Sequence, residues 1–169
     1  MAMGGNFVLN AGPDAKGNIP KEARASFEAV GKWYRNVKEA LFAEPASHLL
    51  PMPKTGAWIA RDKYFMTKSG NTLYFHFPKG PESTGIFVEN IVQLPKSAIV
   101  LNDGTPVTVT MDKMPTLCNG SKQNFPPVFH INGIPVNRIT KESIVLKLEF
   151  EDLETAFDEN RKQGEEGRL

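Results

Sequence analysis

Gly4-Gly5-Asn6-Phe7-Val8-Leu9-Asn10-Ala11-Gly12-Pro13-Asp14-Ala15-Lys16-Gly17-Asn18-Ile19-Pro20 reads as an apolar strand, a Gly/Pro-rich loop and a helix start. A short apolar run that passes through Gly-Pro and Asp-x-x-Gly turns into a proline at the first helical turn is how a parallel strand hands over to its covering helix. Such a strand is buried on both faces and needs neighbours for its backbone hydrogen bonds. Nothing before Gly4 supplies them, so the reading expects the chain to be the end of something larger. After Pro20, Ala23, Phe27, Val30, Tyr34, Val37 and Leu41 recur at spacings of three or four, which predicts an amphipathic helix with one buried face. Leu49-Leu50-Pro51-Met52-Pro53 then breaks the period, as proline removes a donor and extends the residue before it.

From Trp58 onward the pattern changes to short extended runs separated by turn residues, the mark of an antiparallel sandwich. Strands are expected at 57–61, 64–68, 72–77, 85–88, 98–101, 107–111, 128–131 and 143–150. Ser69-Gly70-Asn71 and Asn102-Asp103-Gly104 predict two hairpins, and the polar, proline-bearing stretch 114–127 predicts a long surface loop. The fold class is therefore α+β: a mostly antiparallel β-sandwich preceded by one strand-loop-helix unit like the end of a (β/α)8-like barrel. The expected domains are a last, truncated β/α unit at 1–44, a linker at 45–56, a β-sandwich at 57–150 and a flexible charged tail at 151–169.

The chain has 169 residues, 40% of them hydrophobic, enough for a core, and its formal charge of +1 offers no field to recruit phosphate backbones or anionic lipid. Neither nucleic acid nor a membrane is expected as a partner. Cys118 is the single cysteine, which excludes an intrachain disulfide framework and leaves too few thiolates for a zinc cage. No apolar run approaches the about 20 residues of a spanning helix, and Met1-Ala2-Met3 has neither a basic n-region nor an apolar h-region.

The segment Gly4 to Pro20 resembles the α-L-fucosidases of glycoside hydrolase family 29, whose last barrel strand and helix read roughly Gly-Gly-Asn-Leu-Leu-Leu-Asn-x-Gly-Pro-x-x-Asp/Asn-Gly-x-Ile-Pro. Phe27 to Trp33 and Asn36 to Phe42 resemble the family's Gly-x-Trp and Asn-Gly-Glu-Ala-Ile-Tyr, with Val37-Lys38 in place of a single glycine. Trp58, Thr67 to Tyr74, Val100 to Gly104 and Val145 to Phe150 resemble its C-terminal β-sandwich. The resemblance implies a retaining exo-hydrolase that removes terminal α-L-fucose from glycans with an aspartate nucleophile and, in many members, a glutamate acid/base. Both would lie upstream of the last strand, in a barrel this chain lacks. It also implies fucosylated glycans as partners of the complete enzyme, and Asn10, at the final strand end, as the residue that lines or braces the sugar pocket.

A retaining glycosidase needs two carboxyl groups about 5–5.5 Å apart, one with a raised pKa. Asp14 lies on the face where barrels build their sites, yet Asp14-Ala15-Lys16-Gly17 is turn chemistry. Glu151, Asp152, Glu154, Asp158 and Glu159 crowd after the last strand and read as a solvated end. No catalytic residue is assigned within the chain, which is expected to be inactive alone. His48, His76 and His130 are too dispersed for a ligand motif, and neither a Gly-x-Ser-x-Gly elbow nor a phosphate-binding glycine motif occurs. No metal or cofactor is called for. Trp33, Trp58 and Tyr64 read as core residues before sugar platforms, and Asn119-Gly120-Ser121 fits a glycosylation acceptor. The competing reading is a non-catalytic carbohydrate-binding or structural β-sandwich module.

Overall fold

The computed structural model describes residues 5–46, 49, 64–88, 90–112 and 127–157. Helix α1 (Lys21–Leu41) is followed by β1 (Glu44–Pro45), β2 (Phe65–Ser69), β3 (Thr72–Phe77), β4 (Gly85–Val88), β5 (Ser97–Val100), β6 (Thr108–Asp112), β7 (Val128–Asn132) and β8 (Ile144–Glu149). All strand pairs are antiparallel, in a five-stranded sheet of order β1-β2-β3-β8-β5 and a three-stranded sheet of order β4-β7-β6. The fold is thus α+β and mainly an antiparallel sandwich, as read from the sequence. The expected strands at 64–68, 72–77, 85–88, 98–101, 107–111, 128–131 and 143–150 coincide with β2 to β8 to within a residue at most ends. The strand expected at 57–61 and most of the loop at 114–127 lie outside the described residues.

Alternation builds the layers. Leu73, Phe75 and Phe77 of β3 and Ile144, Leu146 and Leu148 of β8 point to one side, where they meet Val88, Phe129 and Ile131 of the smaller sheet in one buried cluster. The opposite side of β3 and β8 carries Tyr74 and Val145, which pack under Val37 and Ala40 of α1. The five-stranded sheet is therefore the middle of three layers. Two-residue turning at Gly70, with φ of 53°, joins β2 to β3, and Gly104, with φ of 78°, closes the second expected hairpin. In that hairpin Val100 N–H donates to Thr105 O, after which the chain leaves the larger sheet and enters the smaller one as β6.

Four features differ from the sequence reading. Residues 5–14 form no strand, and Phe7, Val8 and Leu9 are 68%, 85% and 46% exposed. Their apolar pattern fits a buried parallel strand, but the described residues offer no strand for them to pair with. The apolar face of α1 is split: Val37 and Ala40 are fully buried and Trp33 and Leu41 half-buried, whereas Val30 is 40% exposed. Only the second half of the helix lies on the sheet. The expected linker at 45–56 opens with β1, which pairs with β2, and with Ala46, whose side chain is in the core. Helix and sandwich are thereby joined by a strand across residues 44 and 45. The charged tail expected to fray from 151 instead packs through 157: Leu153, Ala156 and Phe157 are buried, and Phe157 bridges Ile91. Their three-to-four spacing among charged neighbours places them on one side of a turn against the core.

Polar contacts fasten α1 to the sheet. Trp33 Nε1–H donates to Ser143 O at 2.8 Å and Asn36 Nδ2 to Asn102 O at 2.7 Å. Lys147 Nζ lies 3.2 Å from Glu39 on the helix and from Glu149 on its own strand. Asn102 is buried, and its side chain donates to Ser143 O at 2.9 Å while accepting from Val145 N at 2.9 Å. It stitches the β5 turn to the start of β8. Asn102→Leu keeps the branched shape but orphans Val145 N–H and leaves Ser143 O with the Trp33 indole as its donor, and should lower unfolding free energy by about 1–3 kcal/mol in chemical denaturation. A loss below about 0.5 kcal/mol would mean that water replaces the amide there.

Candidate functional site

The segment that the sequence places at a sugar pocket, Asn10 to Asp14, runs along the surface before α1. Asn10 is exposed, on a stretch without regular structure. Asp14 closes a turn: its Oδ1 accepts from Lys16 N and Asn18 N, each at 2.8 Å, and Gly17 N donates to Asp14 O at 2.9 Å. The Asn18 and Lys16 amides hold its carboxyl below the usual carboxylate range. An ionised, turn-closing carboxylate of this kind is built to shape the loop into the helix.

Beside that segment opens a cleft of about 940 Å³ between the middle of α1, the 102–103 turn and residues 138–143, with Phe7, Val30, Trp33, Asn36, Asp103 and Arg138 in its walls. Burial pushes Asp103 up, but hydrogen bonds from Thr105 and the Arg138 guanidinium outweigh it and hold the group below its ordinary value. Elsewhere, hydrogen bonds from Ser97 and Lys147 hold Glu149 down, and those from His130 and Thr110 do the same for Asp112. Each of these four carboxylates is thus stabilised as an anion, the opposite of what a proton-donating acid requires.

Of the three histidines singled out in the sequence, His48 lies outside the described residues. His76 is buried on β3 beneath the helix, stacked 4.4 Å from the Phe65 ring. Thr67 Oγ1 donates to Ala40 O at 2.8 Å and lies 2.8 Å from His76 Nε2. Because the single hydroxyl proton goes to the carbonyl, Nε2 carries the ring proton and donates to the hydroxyl oxygen. Burial lowers the imidazole to about 4, so it is neutral at pH 7 and serves the helix–sheet contact.

His130 stands instead on the outer side of the smaller sheet. Its Nδ1 is 2.6 Å from Asp112 Oδ2 and 3.0 Å from Asn132 Nδ2, and its ring stacks on Phe87 at 4.0 Å. No local sequence pattern signals this grouping, since Phe87, Asp112 and His130 meet only through the register of β4, β7 and β6. Among the described residues no group of three or more His, Cys, Asp or Glu side chains is placed to hold a metal ion, and no helix is long and apolar enough to cross a membrane. Trp33 is half-buried where α1 meets the sheet and Tyr64 packs 5.3 Å from Phe75, so both serve the core; Trp58, Cys118 and the sequon at 119–121 lie outside the described residues.

Residues 1–39 match the model of the family described as alpha-L-fucosidase. No curated protein matches the chain. Among solved structures, alpha-L-fucosidase isoenzyme 1 from Paenibacillus thiaminolyticus is 26% identical with a TM-score of 0.55, over 87% of this chain and 31% of that one. The alpha-L-fucosidase from Vibrio sp. strain EJY3 is 20% identical with a TM-score of 0.61, over 93% and 24%. Thermotoga maritima alpha-fucosidase, in complex with a mechanism-based inhibitor, is 18% identical with a TM-score of 0.51, over 88% and 31%. The last two likenesses speak to the fold alone, and the chain spans under a third of the length of each of the three. By these matches the chain is α-L-fucosidase-like and corresponds to the C-terminal portion of the enzymes of glycoside hydrolase family 29.

Proposed function

We propose that this chain supplies the closing strand segment, helix and β-sandwich of a retaining α-L-fucosidase, whose nucleophile and acid/base stand on a barrel outside these 169 residues. The observation that carries the reading is the family match over residues 1–39, on a segment whose Phe7, Val8 and Leu9 are patterned for a sheet interior yet face solvent. Asn10 would then stand at the end of the last barrel strand, where it lines or braces the sugar pocket of the assembled enzyme. The substrate of that enzyme is a terminal α-L-fucose on a glycan. Supporting the placement of the acid/base elsewhere, Asp14, Asp103, Asp112 and Glu149 are all held as anions.

The chain alone should therefore not hydrolyse an aryl α-L-fucoside above the rate of buffer, because the covalent glycosyl intermediate has no nucleophile to form on. Continuous release of nitrophenol from 4-nitrophenyl α-L-fucoside measures this. Turnover that Asp14→Asn abolishes would overturn the reading, by placing the chemistry in the loop before α1.

A further inference from the structure

We propose that the cleft between the middle of α1 and residues 138–143 receives the base of the catalytic barrel, the end opposite the sugar pocket, so that the sandwich anchors the enzyme from below and takes no part in the pocket. On the fucosidase reading, on which this rests, the closing strand rises to the catalytic face and its helix runs back to the opposite end. Lys21 opens α1 directly after the loop that carries Asp14, while Val37 and Ala40, in the second half of the helix, dock on the sheet. At a rise of about 1.5 Å per residue, positions 37 and 40 stand roughly 24–29 Å below position 21. The sandwich is therefore held at the far end of the helix from Asn10 and its loop.

The cleft begins partway down. Phe7 precedes Asn10 by about 10 Å of extended chain and Val30 follows Lys21 by about 14 Å of helix, yet both line it, as a strand and helix running in opposite directions require. Its far wall is the sandwich, through Asp103, Thr140 and Lys141. Phe7, Val8, Leu9, Ile19 and Val30 are exposed and all precede the docked half of α1, so apolar surface continues from the strand-closing segment into the cleft. That continuity names the occupant as the same barrel that the segment closes. The family match covers residues 1–39, across this stretch of α1, and the chain spans only 31% of the Paenibacillus enzyme, which leaves the body of such an enzyme to fill the space. At the rim Arg138 is taken by Asp103 and Thr105, which leaves Lys32 and Lys141 against Glu142, a positive edge suited to a carboxylate on the barrel.

The test compares the longer enzyme, encoded by the frame that continues upstream of Met1, with the 169-residue chain alone. Thr140 is exposed on the sandwich wall, so Thr140→Trp fills the cleft without entering the core. In the chain alone this variant should keep the urea midpoint of its parent. In the enzyme it should prevent folding or shorten the half-life of fucosidase activity at an inactivating temperature about fivefold or more. The kcat and KM of the folded variant for 4-nitrophenyl α-L-fucoside should stay within about twofold of the parent enzyme. Thr140→Ser leaves the cleft open and should change none of these. Equal half-lives for Thr140→Trp and the parent enzyme, a destabilised chain alone, or a changed KM would each overturn the proposal and leave the fucosidase reading standing. A stop codon ahead of Met1 with no barrel frame beside it would overturn that reading, and the proposal with it.

Discussion

Phe75→Ala should cost about 3–5 kcal/mol of unfolding free energy, a large share of the about 5–15 kcal/mol that holds an ordinary domain folded. Phe75 is fully buried at the centre of β3, in the middle layer of the fold, and its ring lies 5.3 Å from that of Tyr64. Truncation removes the ring from the contact between the two sheets and leaves a cavity that neighbours on β2 and β8 cannot close, since both are pinned by their ladders on either side. Phe75→Leu keeps most of the volume and should cost less than half as much. Phe7→Ala, at a ring 68% exposed, should change stability by no more than about 0.5 kcal/mol. Urea denaturation followed by circular dichroism reads all three. Equal losses at positions 7 and 75 would contradict the three-layer order, with β3 in its middle.

Acid should weaken the fold in a window that belongs to His76. Burial holds its imidazole at about 4 against an ordinary value of 6.5, so between those two values the unfolded chain binds a proton that the folded chain does not. The contribution is whole above pH 6.5, declines as pH falls through the window, and levels off below about 4. A shift of this size is worth roughly 3 kcal/mol. Protonation would place a charge between the Phe65 ring and the Thr67–Ala40 contact, where the helix meets the sheet. The lowered carboxylates at Asp14, Asp103, Asp112 and Glu149 work in the same direction, but at lower pH. His76→Gln removes the titration at position 76 alone. Its unfolding free energy should change much less than that of the parent chain between about pH 6.5 and 4.5, and identical slopes for the two proteins would show that His76 titrates normally in the folded state.

The sandwich was largely legible because each strand is short, alternates and ends at a turn residue: Gly70 and Gly104 marked their hairpins, and 72–77 and 85–88 matched β3 and β4 end to end. Where the sequence misled, a long-range partner decided the outcome. Phe7, Val8 and Leu9 have a strand's composition, but a strand is made by its neighbours, and the described residues supply none. Val30 has a core residue's spacing on α1, yet the sheet ends beneath Trp33 and Val37. Glu44–Pro45 carries no strand signal, and its pairing with β2 depends on where α1 docks. Leu153, Ala156 and Phe157 were hidden by the charges around them. At the candidate site, Asp14 was readable as a turn residue from its own neighbours, whereas the approach of His130 to Asp112 depends on sheet register that no local pattern encodes.

That this chain closes an α-L-fucosidase whose catalytic carboxylates lie elsewhere is tested most directly by reading the DNA that precedes the Met1 codon in its genome. The same reading frame should continue upstream into a β/α barrel that carries an aspartate nucleophile and lacks a last strand until it reaches residues 5–10. An in-frame stop codon ahead of Met1, with no adjoining frame that encodes such a barrel, would contradict it.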